Sequence, residues 1–260
     1  GRIPEAGTEA LGAVGLCFPI IILVTGFTNM FGLGGAPLFS MALGQGNRDK
    51  AIDIQNTALR LLVLVGAGIL LVGELLGDRI LLLFGATTGE LSLALPYLRI
   101  YLVGTIFIMV STGMNAYINA QGFPVVGMIS VTIGAASNLI LDPLFIFGLK
   151  LGVSGAAIAT VLSQLLSFLF VVSFLFGKRN VLPVCFAWRF PYAGAIMSLG
   201  LAPFIMQVTN SLVQIACNSV LMRYGGAVFV SIMTIVSSVR SILDVPVMAI
   251  TDGASPSISY

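Results

Sequence analysis

The chain has 260 residues, of which 58% are hydrophobic and 8% charged, with a net charge of +2 and a mean hydropathy of +1.07. Soluble domains carry about 25% charged residues, so a water-soluble fold is excluded and an all-α polytopic membrane protein is expected. The absence of His removes His-based acid–base catalysis, Ser-His triads and His metal sites, and the scattered Lys and Arg leave no nucleic-acid footprint.

A spanning helix needs about 20 apolar residues, which seven segments supply: 13–43, 54–76, 91–118, 124–148, 152–176, 195–222 and 226–256. The first contains Pro19 and Pro37, which predict a kink. Its Gly32-Leu33-Gly34-Gly35 run reads as packing glycines inside an apolar segment, not as a phosphate loop. Short connections at 44–53, 77–90, 121–123 and 149–151 predict antiparallel neighbours. In the third span Arg99 is expected to snorkel or to pair with Glu90. The longer segment 177–192 carries Lys178, Arg179, Trp188 and Arg189 and reads as an interfacial link between two bundles. Cys17, Cys185 and Cys217 lack metal or disulfide spacing and read as small buried hydrophobes. Loops holding Arg48, Lys50, Lys178, Arg179 and Arg189 outweigh those holding Arg2, Arg79, Lys150 and Arg223, so the former side is expected in the cytoplasm.

The fourth span holds the group that demands an explanation. Asp142 lies in an almost wholly apolar run, with Asn138 one turn before it and Gly134 one turn earlier still. A carboxylate at membrane depth costs about 3 kcal/mol or more without a partner, a proton or a cation. At about 1.5 Å per residue, Asp142 and Tyr97 lie about 9 Å, and Thr160 about 12 Å, from the same membrane face. Bland readings exist for each. Asp142-Pro143 could cap a half-helix, Asn138 could be an interhelical bond, and Thr160 could bond its own backbone.

Polar residues recur in the last two spans. Gln207, Asn210, Gln214 and Asn218 form a stripe at helical spacing, Arg240 and Asp244 sit one turn apart as an internal ion pair, and Asp252 follows. Gly34, Pro37 and Ser40 recur as Gly253, Pro256 and Ser259 at a constant offset of 219 residues, which predicts two tandem bundles and an intact length of about 440 residues. A start at Gly1-Arg2-Ile3-Pro4 and an end at Ser259-Tyr260 read as those of a fragment.

Five motifs together carry a resemblance: Gly44-Gln45-Gly46-Asn47, Asn119-Ala120-Gln121-Gly122-Phe123-Pro124, Asn138 to Phe147, Gly152 to Thr160, and Gly253-Ala254-Ser255-Pro256. The chain resembles the multidrug and toxic compound extrusion (MATE) family along its whole length. The resemblance implies twelve helices in two six-helix lobes, of which this chain holds the second to eighth. Residues 1–177 would be the amino-terminal lobe without its first helix, 178–193 a cytoplasmic linker, and 194–260 the start of the second lobe. It further implies an antiporter that exports amphipathic, often cationic drugs or dyes in exchange for sodium ions or protons, and no enzyme. In that family the coupling site comprises an Asn and an Asp on the fifth helix, a Thr on the sixth and an Asp on the first. Asn138, Asp142 and Thr160 match three of these; Tyr97 is a looser match, and the first-helix Asp falls upstream of Gly1. Sodium at Asp142, Asn138 and Thr160, or a proton on Asp142, would satisfy the carboxylate, and no other cofactor is implied. Gln207, Asn210, Gln214, Asp244 and Asp252 are candidates to line the drug cavity, Asp252 standing where many members carry an uncharged amide. A monomer surrounded by lipid in the plasma or inner cell membrane is expected, with no nucleic-acid partner, and this piece alone is not expected to transport.

Two other readings follow from the residues. A lipid-linked saccharide flippase of the related superfamily would need cations facing the cavity, and the spans offer chiefly Arg60, Arg99 and Arg240. A membrane-embedded transferase would need clustered carboxylates or a His, and has neither.

Overall fold

A computed structural model describes residues 6–83, 88–177, 182–183 and 189–210, together with single positions between 212 and 250. The described chain is helical: α1 (Ala6–Gly44), α2 (Arg48–Leu83), α3 (Thr88–Val103), α4 (Thr105–Ala120), α5 (Pro124–Pro143) with a π turn after it (Leu144–Gly148), and α6 (Gly152–Leu175). A further helix, α7, covers Ala193–Asn210. Among the described residues, five helices are long and apolar enough to cross a membrane, or six if α3 and α4 form one broken span.

Two tight turns explain why helices end where they do. Gly46 and Gly122 adopt φ of +71° and +89°, a region open to glycine at little cost. The Gly46 and Asn47 N–H groups donate back to Leu43 and Ala42, both at 2.9 Å, and those of Gly122 and Phe123 to Asn119 and Ile118 at 3.0 and 3.2 Å. Both are Schellman closures that satisfy the last carbonyls of α1 and α4. The next helices start at once: the Asn47 side chain accepts from the Lys50 N–H at 3.1 Å, and Pro124 takes the first position of α5.

Two expectations change on contact with the structure. The single span 91–118 is two helices meeting at 48°. The break falls at Gly104, whose N–H donates to Tyr101 at 2.9 Å in a tightened turn. A Cβ there would lie 2.9 Å from Val161 and against the Gln164 side-chain oxygen, so glycine lets α6 press directly onto the break. Arg99, in turn, pairs at 3.7 Å with Glu74 of α2, because the antiparallel packing of α2 on α3 brings that carboxylate alongside. α1 runs for 39 residues through Pro19 and Pro37.

Packing forms two apolar clusters. The first joins Val24, Phe31 and Phe39 of α1, Ile54 and Leu62 of α2, and Met109, Met114 and Tyr117 of α4, and takes in Leu182 and Ile196 from farther along the chain. The Tyr117 hydroxyl donates to the Phe31 carbonyl at 2.8 Å, satisfying a buried phenol while its ring meets Phe39 edge-on at 5.4 Å. The second cluster joins Cys17 and Ile20 of α1, Leu81 of α2, Ala94, Tyr97, Leu98, Tyr101 and Leu102 of α3, and Ala157 of α6. Large aliphatics such as Leu71, Leu75, Leu139 and Ile140 face outward, as expected of helix faces in contact with lipid.

Candidate cation-coupling site

Asp142 lies in the last turn of α5, and α5 stays helical through it. Pro143 and Leu144 keep right-handed helical backbones, at φ −61° and −64°. The alternative in which Asp142 caps a helix beginning at Pro143 is therefore not what forms. Pro143 has no N–H to give back to Leu139, and the chain beyond it widens into the π turn. The Leu149 N–H donates to Leu144 at 2.9 Å and the Leu151 N–H to Phe145 at 3.2 Å. Single π turns are frequent at functional sites.

The Asn138 amide donates to Asp142 Oδ1 at 3.2 Å, so the one-turn spacing produces a real contact. Both side chains are half-buried. Among the described residues no Lys or Arg pairs with Asp142; the ion pair found there joins Arg99 and Glu74.

Thr160 is brought to the same level by helix register. The Ser167 hydroxyl of α6 donates to the Ser130 carbonyl of α5 at 2.8 Å. A Cβ on Gly134 would lie 3.5 Å from the Ser167 side chain, and one on Gly155 would lie 2.8 Å from the Phe145 carbonyl. These antiparallel pairings set Thr160 opposite the turn between Asn138 and Asp142. Its hydroxyl donates to the Ala156 carbonyl at 2.9 Å, the bland reading as far as the proton goes. The oxygen lone pairs are not used by that bond.

Tyr97 is buried, at 8% exposure. It stacks on Tyr101, with centroids 6.4 Å apart and planes 11° apart, and shares its cluster with Ala157, one turn from Thr160. Tyr101 did not stand out in the sequence, although its spacing of one turn from Tyr97 was the available signal. α1 reaches the same place, where the Cys17 thiol donates to the Ala94 carbonyl at 3.7 Å. Asn138 and Asp142 are thus in contact on α5, Thr160 lies at their level on α6 by helix register, and Tyr97 of α3 packs with α6 through Ala157.

The family model MatE matches residues 2–144, more than half of the chain. The chain belongs to the MatE family. A relative, the multidrug export protein MepA of Staphylococcus aureus (strain MRSA252), is 25% identical over 256 residues, covering 97% of this chain and 56% of its own length. Among solved structures, a MATE protein in complex with MaD3S superposes with a TM-score of 0.87 and 27% identity, covering 99% of this chain and 58% of that one. The outward-facing conformation of a multidrug resistance MATE family transporter gives 0.86 and 27%, over 96% of this chain and 56% of that one. This chain therefore spans little more than half the length of the relatives it matches. MatE proteins are multi-pass membrane transporters and not enzymes.

Gln207 is half-buried and Asn210 exposed on α7, whereas Gln214, Asp244 and Asp252 lie outside the described residues.

A polar group of which sequence reading singled out only Arg60 sits in the first half of α2. Gln55, Asn56 and Thr57 are buried. The Gln121 amide donates to Gln55 at 2.9 Å and the Asn56 amide to the Pro183 carbonyl at 3.3 Å. The Arg60 guanidinium donates to the Arg189 carbonyl. Asn56 and Arg60 are one turn apart, a periodicity the sequence displays without naming its acceptors.

Proposed function

We propose that the protein containing this chain is a secondary active multidrug efflux antiporter, with Asp142 as the group that binds the coupling cation. The observation that carries this reading is the Asn138–Asp142 pair: a half-buried carboxylate in a membrane helix, held by a neutral amide. A carboxylate in that setting costs several kcal/mol while it stays charged and uncompensated. A sodium ion or a proton removes that cost. Asp142, the Asn138 carbonyl oxygen and the Thr160 hydroxyl would supply part of a sodium ion's oxygen set, and a proton on Asp142 would need none of them.

Transport follows from differential affinity. If the cation binds more tightly when the site opens outward, its arrival stabilises the conformation that releases drug. The empty, charged site then favours the state that accepts an amphipathic cation from the cytoplasm or inner leaflet. The similarity to MepA, which bears the name of a multidrug export protein, supports the substrate class. A plasma or inner-membrane location and a monomeric state belong to the same proposal.

The flippase reading loses support. Arg60 is engaged by the Arg189 carbonyl and Arg99 by Glu74, which removes two of the three arginines it would need from the cavity.

The test is efflux of a cationic dye from vesicles holding the full-length protein, under an imposed sodium or proton gradient. Gradient-driven efflux in the wild type that is lost in Asp142→Asn, with folded protein still in the membrane, is the expected result. Equal efflux in both contradicts the role given to Asp142. No efflux in the wild type under either gradient contradicts the antiporter.

A further inference from the structure

α2 and α3 pack side by side near the connection that joins them, and charge collects on the outward side of that pair. A Cβ on Gly77 would lie 3.4 Å from the Leu95 side chain and 3.5 Å from that of Leu98, and one on Gly73 would press on Leu102. The two helices are therefore antiparallel, with Glu74 and Arg99 at one level. Tyr97 and Leu98 are buried on one face of α3, whereas Pro96, Arg99 and Val103 are exposed on the other. On α2, Leu71, Glu74 and Asp78 follow one another at helical spacing, with Leu71 and Asp78 exposed and Glu74 half-buried.

The ion pair uses little of what its members can offer. Glu74 meets Arg99 through Nε at 3.7 Å, and the two side chains keep 38% and 52% of their surface open. Among the described residues no other acceptor engages the Arg99 guanidinium. A guanidinium carries five N–H donors in a fixed fork, and a carboxylate accepts at both oxygens, so most of this capacity is left open. The surroundings are aliphatic: Leu71, Val72, Leu75 and Leu76 stand exposed beside Glu74, Val103 lies one turn from Arg99, and Leu82 and Leu83 are exposed farther along α2. Glu74 is about 13 Å from the end of α2 at about 1.5 Å per residue. Open charge inside an apolar belt is costly, and a lipid head group is the polar partner that a bilayer supplies there.

We propose that the Glu74–Arg99 pair, with Asp78 one turn beyond, binds one phospholipid whose head group carries a primary ammonium beside its phosphate. The phosphate suits the fork of Arg99, and the ammonium has three N–H donors for the two carboxylates. The direction of the patch matches a lipid standing in one leaflet. Asp78 and Arg79 lie from the pair toward the end of α2, on the head-group side. Leu71 and Val103 lie toward the bilayer interior, where acyl chains would run. The charges of Glu74, Asp78, Arg79 and Arg99 sum to zero, so a zwitterionic lipid fits the patch better than an anionic one. The site stands apart from the antiporter reading, because binding is read without transport.

The test uses full-length protein stripped of lipid in detergent and titrated with short-chain phosphatidylethanolamine or phosphatidylcholine, with bound lipid counted by native mass spectrometry. The first lipid bound should favour ethanolamine over choline about ten-fold, because methylation of the amine removes every N–H donor. Glu74→Gln should erase that preference, and Arg99→Gln should weaken binding of both lipids about ten-fold, as expected for loss of a charge-assisted bond to phosphate. Equal affinity for the two lipids in the wild type overturns the site, and so does wild-type behaviour in both variants. Should either variant fail to fold, a photoactivatable phosphatidylethanolamine locates the lipid on the wild type instead. Labelled peptides should then contain residues within 71–79 or 96–103, and labelling confined to other segments overturns the site.

Discussion

At the scale of single residues, the account turns on how three oxygens are presented. Asn138 donates its amide N–H to Asp142, which leaves its own carbonyl oxygen for a cation. Thr160 gives its proton back to Ala156, which leaves lone pairs forward. Replacing Asn138 by Leu removes both the bond and the ligand, and apparent affinity for the coupling ion should fall about ten-fold, the lower end for loss of a supporting group at an ion site. The check is the ion concentration giving half-maximal efflux. Thr160→Val separates the two candidate ions, since it keeps packing volume and removes the oxygen. Sodium coupling predicts weaker sodium dependence with unchanged thermal stability, and a return toward wild type in Thr160→Ser. Proton coupling predicts that Thr160→Val behaves as the wild type.

At the scale of elements, glycine contacts carry much of the geometry. Gly104→Ala would push a methyl group against Val161 and Gln164 of α6, and overpacking of that kind costs about 1–3 kcal/mol. Equilibrium unfolding in mixed detergent should record that loss, and the angle between α3 and α4 should change with it. Tyr117→Phe should cost less, about 0.6 kcal/mol, the average for one interhelical bond in a membrane protein. The turns at Gly46 and Gly122 were legible in the sequence because Gly-Asn and Gly-Phe-Pro state their own backbone requirement. The break at Gly104 was not, since its cause is Gln164 and Val161, some 60 residues away in sequence, pressing on one glycine among 30. Asp142-Pro143 offered two readings, and the structure bears out the one without a cap. Locally it spells a helix cap, but proline's missing N–H is absorbed by the π turn, and α6 packs Gly155 against the widened carbonyl of Phe145.

At the scale of the whole molecule, composition alone settled the membrane class, and one-turn spacing was enough to anticipate the contact between Asn138 and Asp142. What the sequence could not show was partnership across the chain: Arg99 with Glu74, Asn56 and Arg60 with carbonyls of a distant segment, and Gly34 against Gly200. Backbone acceptors and close-packed glycines carry no residue signature of their partner. The central claim is that drug and cation compete through Asp142, and linkage requires each to weaken the other equally at equilibrium. The direct measurement is release of bound cation when dye is added to purified full-length protein, read as displaced radioactive sodium and as protons appearing in weakly buffered solution. The account predicts about one cation released per protein in the wild type and none in Asp142→Asn, as reciprocal coupling demands. Equal release from both proteins, or dye binding with no release from the wild type, would contradict it.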